Sequence, residues 1–119
     1  MRPPAEPTAS PLWHITLLAA GPPAPEQQLA QGLRELCALD PGNMAARYRA
    51  NQVELQFWDE GPDLQRVAAS ATVLWREGRA EAGLPDWSLV GLEVLDRQRW
   101  GERQAAVPRA IRPGSVATM

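Results

Sequence analysis

Between Gly61 and Gly83 the apolar residues Leu64, Val67, Ala68, Ala71, Leu74 and Trp75 recur at helical spacing. They share one face, which predicts a long helix buried against a sheet. Pro62 and Asp63 suit its first turn, where a missing N–H costs little and a carboxylate meets the positive end of the dipole. Gly83 before Leu84-Pro85 predicts a left-handed cap and a hard stop. Gly78 inside the pattern costs about 1 kcal/mol against alanine, so a close approach should favour it. Packing against the sheet is the expected cause, with helix–helix contact as the alternative. After the stop, Val90, Leu92 and Val94 alternate with Gly91, Glu93 and Leu95, a strand with one apolar face.

Upstream, Leu12 to Ala20 reads as a first strand, with Trp13, Ile15 and Leu17 on one side and His14 and Thr16 on the other. Gly21 to Pro25 is a rigid crossover, and Pro25-Glu26 opens a helix whose stripe is Leu29, Leu33, Leu36, Cys37 and Leu39. Two strands then meet at a tight turn near Ala50-Asn51. If Arg49 faces Gln52, Tyr48 meets Val53, Ala46 meets Leu55 and Met44 meets Phe57 on one face. The same register sets Arg47 against Glu54 and Ala45 against Gln56 on the other.

The order strand, helix, strand, strand, helix, strand predicts an α+β fold. It is a ferredoxin-like βαββαβ sandwich, a four-stranded antiparallel sheet with two helices on one face. The expected boundaries are a disordered, proline-rich lead-in over 1–11, the domain over 12–98, and an arginine-rich flexible tail over 99–119. At most a helical turn around Trp100 is expected in that tail.

Composition narrows the function classes. The net charge of −2 suggests neither a nucleic-acid partner nor a membrane surface. All twelve basic residues are arginine, which with few isoleucines reads as GC-rich coding rather than a recognition surface. Cys37 is the only cysteine, so no disulfide framework or thiolate metal site can form within one chain. No apolar run is long enough to cross a bilayer. Leu12 to Ala20 mimics part of a signal peptide, but Arg2 stands alone before it and Trp13-His14 interrupts it, so a cytoplasmic location is expected.

The second sheet face is where chemistry would sit. It is expected to present His14, Thr16, Leu18, Arg47, Arg49, Glu54, Gln56, Trp58, Leu89, Glu93 and Leu95. Trp13 and Trp75 read as core, while Trp58 and Trp100 read as interface anchors. The candidate ligand-binding residues are His14, Arg47, Glu54 and Trp58. No catalytic residue is assigned, and the alternative is His14 as a general base beside Glu54 or Glu93. No metal site and no cofactor are expected.

Function must be argued from sites, because this fold hosts many activities. An RNA-recognition sheet needs exposed rings where this one carries His14, Thr16, Glu54 and Gln56. The loop after the first strand lacks a metallochaperone's cysteines and an acylphosphatase's arginine. The segments FWDEGPDLQRV and LWREGRAEAGLPDWSLVGLEVLDR resemble small uncharacterised ferredoxin-like proteins of GC-rich, actinobacterial type. That resemblance covers residues 57–97 and implies a bacterial source and the fold, with no activity attached. The expectation is a non-catalytic binding or assembly domain that homodimerises through its open sheet face, an unknown protein partner being possible. The alternative is a small dimeric α/β-barrel-type enzyme, a cofactor-free oxygenase or isomerase using His14.

Overall fold

The computed structural model describes residues 10–106 and 111–119; most of the expected lead-in lies outside them. The first strand β1 (Leu12–Ala20) is followed by helix α1 (Glu26–Cys37), then by strands β2 (Ala45–Arg49) and β3 (Gln52–Glu60). Helix α2 (Leu64–Glu81), strand β4 (Ser88–Asp96), helix α3 (Arg97–Ala106) and strand β5 (Val116–Thr118) complete the order. The strands form one five-stranded sheet in the order β4-β1-β3-β2-β5. Helices α1 and α2 contribute their buried stripes, Leu29, Leu33, Leu36 and Cys37 with Val67, Ala71 and Trp75, to one core. From the sheet, Ile15, Leu17, Ala19, Ala46, Val53 and Leu55 complete it.

The β2–β3 hairpin has the register that charge and hydrophobicity demanded: Ala45 with Gln56, Ala46 with Leu55, Arg47 with Glu54, Tyr48 with Val53 and Arg49 with Gln52. Neither Ala50 nor Asn51 takes a positive φ, so the turn is not of a primed type. Its carbonyls hold the crossover instead, Ala50 accepting from Ala24 N at 2.8 Å and Asn51 from Gly21 N at 3.2 Å. At the end of α2, Gly83 has φ of +72°. Leu84 N reaches Arg79 O at 2.9 Å and Gly83 N reaches Ala80 O at 3.4 Å. This is the paired cap that a left-handed glycine permits.

Several expectations change. The sheet is mixed rather than strictly four-stranded and antiparallel, because β5 adds in parallel to β2 and covers its outer edge. The stretch expected to be a loose tail carries both α3 and β5. Helix α2 begins two residues later than Pro62 suggested: Asp63 is the N-cap, accepting from Arg66 N at 2.8 Å, and Leu64 is 47% exposed. Helix α1 ends at Cys37, which leaves Leu39 outside the stripe. A Cβ on Gly78 would lie 2.7 Å from Leu36 Cδ1, so that glycine serves helix–helix contact rather than packing on the sheet. In β4 the pairing jumps from Leu18–Gly91 to Ala19–Leu89. Val90 is the extra residue of a bulge, which turns Leu89 to the core side and leaves Val90 63% exposed.

Candidate functional site

The sheet face away from α1 and α2 is not open. Asp96 ends β4 and caps α3, its Oδ1 accepting from Arg99 N at 2.7 Å. This is the usual geometry in which a short acidic side chain satisfies one of a helix's orphan donors. Helix α3 buries none of its residues fully and rests on β1 and β4. Its main anchor is Trp100. The Trp100 ring lies 5.1 Å from His14 and 5.1 Å from Trp58, centroid to centroid, while His14 and Trp58 stand edge to face at 5.0 Å. His14 and Trp58 are cross-strand partners of β1 and β3. A ring from the third helix thus closes a contact that the sheet began.

Around this aromatic cluster the polar residues pair among themselves. Arg47 directs both Nε, at 2.9 Å, and one terminal nitrogen, at 2.8 Å, onto Oε2 of Glu54. Gln56 Nε2 donates to the same oxygen at 3.1 Å, and Gln56 Oε1 accepts from Ile111 N at 3.1 Å. The second hydrogen bond ties the chain beyond α3 to the middle of the sheet. Arg103 of α3 pairs with Glu93 of β4. Asn43 brackets the backbone of Trp58, donating to its carbonyl at 2.8 Å and accepting from its N–H at 2.7 Å. These bonds satisfy groups that would otherwise be costly to bury.

Between α3 and the sheet lies a cavity of about 240 Å³ bounded by His14, Thr16, Glu54, Glu93, Trp100 and Arg103. A second cavity, of about 260 Å³, shares His14, Gln56 and Trp100 with it. His14 is 6% exposed. Burial lowers its pKa from 6.5 to about 4, with the Glu93 carboxylate pulling the other way. The imidazole is therefore neutral at physiological pH, able to donate and accept hydrogen bonds but weakly basic. The Trp100 indole N–H is buried and finds no acceptor among the described residues.

The four candidate residues fall into two cross-strand pairs on this face, His14 with Trp58 and Arg47 with Glu54. His14 and Glu54 are not neighbours. Glu54 pairs with Leu18, four residues along β1 from His14, which at the rise of a strand is about 13 Å. The carboxylate whose charge reaches His14 is Glu93. Arg103 was not anticipated as a site residue. Its signal was the helical spacing of Trp100, Arg103 and Gln104 after the capping residue Asp96. Among the described residues there is no group of three or more metal-ligating side chains, and no helix is long and apolar enough to cross a membrane.

Fold and face together define a small α+β domain in which a five-stranded mixed sheet carries two helices on one side and a single roofing helix on the other. The chain belongs to a family described as a domain of unknown function, DUF8830, which matches residues 12–110. The match reaches past α3, so the roofing helix falls within the family's domain. No curated protein and no solved structure matches the chain.

Proposed function

We propose that this is a non-catalytic binding domain whose site is the cavity between α3 and the sheet. The observation that carries the reading is a 240 Å³ space bounded by the Glu93–Arg103 pair, by Glu54, whose partner Arg47 lies outside the lining, and by a neutral histidine and an indole. Drug-sized pockets run to about 300–1,000 Å³, so this one suits a small molecule of about ten non-hydrogen atoms. Arg47 offsets Glu54 and Arg103 offsets Glu93. A ligand with an uncompensated charge would have to break one of these pairs, whereas a neutral or zwitterionic molecule would not. The weak basicity of His14 supports binding over proton abstraction, because an effective general base has a pKa near the working pH. Dimerisation through this face would require α3 to leave it.

The test is a ligand-observed NMR screen with neutral, zwitterionic, cationic and anionic fragments of this size. Thr16→Phe, which fills the cavity from the sheet side, serves as the control. Neutral and zwitterionic fragments should bind the wild type and lose contact in the folded Thr16→Phe protein. Binding that survives Thr16→Phe, or hits confined to ions of one sign, would remove the reading.

A further inference from the structure

Among the described residues Glu54 is the one buried carboxylate, 4% exposed. Its hydrogen bonds are lopsided. Arg47 Nε, an Arg47 terminal nitrogen and Gln56 Nε2 all donate to Oε2, at 2.9, 2.8 and 3.1 Å. No hydrogen bond from the described residues reaches Oε1. A carboxylate oxygen accepts through two lone pairs, and burying it without a donor is costly. The register sets Glu54 between Arg47 of β2 and Leu18 of β1. Leu18 borders the cavity of about 240 Å³ and Arg47 does not, so the cation holds the carboxylate from behind. Trp100 Nε1 alone is both sealed from solvent and unpartnered among the described residues. Glu54 Oε1 therefore keeps some open surface, and the space that Glu54 borders is the cavity.

We infer that Glu54 Oε1 is the acceptor that selects the ligand of this cavity, a neutral molecule bearing an N–H donor, of the carboxamide or lactam class. The inference rests on the binding-site reading above and names the ligand chemistry. Charge decides for a neutral donor over an ammonium group. Both carboxylates of the lining already have guanidinium partners, Glu54 from outside it and Glu93 from within. An added cation would be desolvated with no unpaired anion to meet it. The amide class follows from Arg103, which shares the lining. A guanidinium has five N–H donors, and the pairing with Glu93 uses one terminal nitrogen. A carboxamide offers N–H to Glu54 Oε1 and C=O to one of the donors left on Arg103. Glu93, which Arg103 holds, stands opposite Thr16, and Glu54 stands opposite Leu18. Those positions are two residues apart along β1, about 7 Å, a span that a molecule of the cavity's size covers.

The test is an NMR titration of the full chain with three matched probes. Benzamide carries the donor and the carbonyl, acetophenone puts a methyl group where the donor was, and benzamidinium keeps the donors and adds charge. A hydrogen bond to a carboxylate should make benzamide bind the wild type about tenfold tighter than acetophenone, with benzamidinium no tighter than benzamide. In Glu54→Gln, Arg47 and Gln56 would hold the new carboxamide oxygen in the Oε2 position, which turns an NH₂ group towards the ligand. The preference for benzamide should then vanish or invert, with circular dichroism confirming the fold. The wild-type comparison stands even if that variant unfolds. Equal binding of benzamide and acetophenone, both lost in Thr16→Phe, would overturn the inference and leave the binding-site reading intact. Tighter binding of benzamidinium, or a folded Glu54→Gln that still prefers benzamide, would also overturn it. If none of the three probes binds the wild type, both readings fall.

Discussion

Trp100→Ala removes the ring that roofs His14, and its consequence can be followed at a single proton. A pKa of about 4 in place of 6.5 disfavours the imidazolium in the folded state by roughly 3 kcal/mol. Between those values the unfolded chain holds one more proton than the folded one, so stability rises with pH across that window. The contribution is complete above pH 6.5 and is lost as pH falls towards 4. At pH 5 the wild type should already have lost about 2 kcal/mol relative to pH 7.5 from this group alone.

With Trp100 truncated, water reaches the imidazole and its pKa should move back towards 6.5, so the same pH step should cost under about 1 kcal/mol. At neutral pH the variant should be less stable by about 1–2 kcal/mol. This is below the ~3–5 kcal/mol of a fully buried ring truncation, because α3 buries no residue completely. His14 is the only histidine, so its ring resonance in a proton NMR titration is unambiguous, and urea unfolding at the two pH values supplies the energies. A wild-type His14 that titrates near its ordinary value would refute the reasoning. So would one that still titrates near 4 in Trp100→Ala.

Three further perturbations probe separate parts of the fold. Asp96→Ala removes the cap of α3. It should cost about 1 kcal/mol and speed amide exchange over 97–106 while leaving β1 and β3 protected. Gly21→Ala would place a Cβ 2.1 Å from Cδ1 of Trp87, a ring held by its hydrogen bond to Pro22 O. It should lower stability by about 2–3 kcal/mol in denaturant unfolding. Burial pushes the Cys37 thiol up to about 11. An aromatic disulfide reagent at pH 8 should therefore react only once the chain is unfolded, and fast labelling of the native protein would contradict its burial.

Where periodicity and pairing agree, the architecture was legible from residues alone. The hairpin register followed because one alignment of Ala45–Arg49 with Gln52–Gln56 satisfied both faces. The end of α2 followed because Gly83 can take a positive φ and Pro85 cannot extend a helix. The bulge at Val90 was not legible, since strict alternation assigns Val90 to the core and Leu89 to the opposite face. Helix α3 was missed for a related reason. Its sequence, RQRWGERQAA, has one large apolar residue and an internal glycine, so it shows no apolar stripe even though most of its residues are good helix formers. Its position is set by Trp100 meeting two rings from distant strands, which no local pattern encodes. The candidate residues were visible as a set sharing one face of the sheet. Their grouping was not, because which carboxylate reaches His14 depends on β4 pairing with β1.

The polar composition of that face has its explanation in the last quarter of the chain. A sheet surface bearing His14, Glu54 and Gln56, each buried to within 6% exposure, would be solvated if it were open. It is buried because α3 and the segment after it lie over it, and Gln56 accepts the Ile111 N–H there. The same segment then runs back along β2, with Gly114 N donating to Met44 O at 2.8 Å, Ala46 N to Ser115 O at 2.9 Å and Met119 N to Tyr48 O at 2.8 Å. Removing residues 97–119 would strip the roof from the aromatic cluster, take the Ile111 N–H from Gln56 Oε1 and reopen the β2 edge at once. Each of these exposes or orphans groups that the sheet alone cannot satisfy. The C-terminal segment is thus part of the domain's hydrogen-bond closure rather than an appendage to it. The cavity between α3 and the sheet exists only while the segment stays in place.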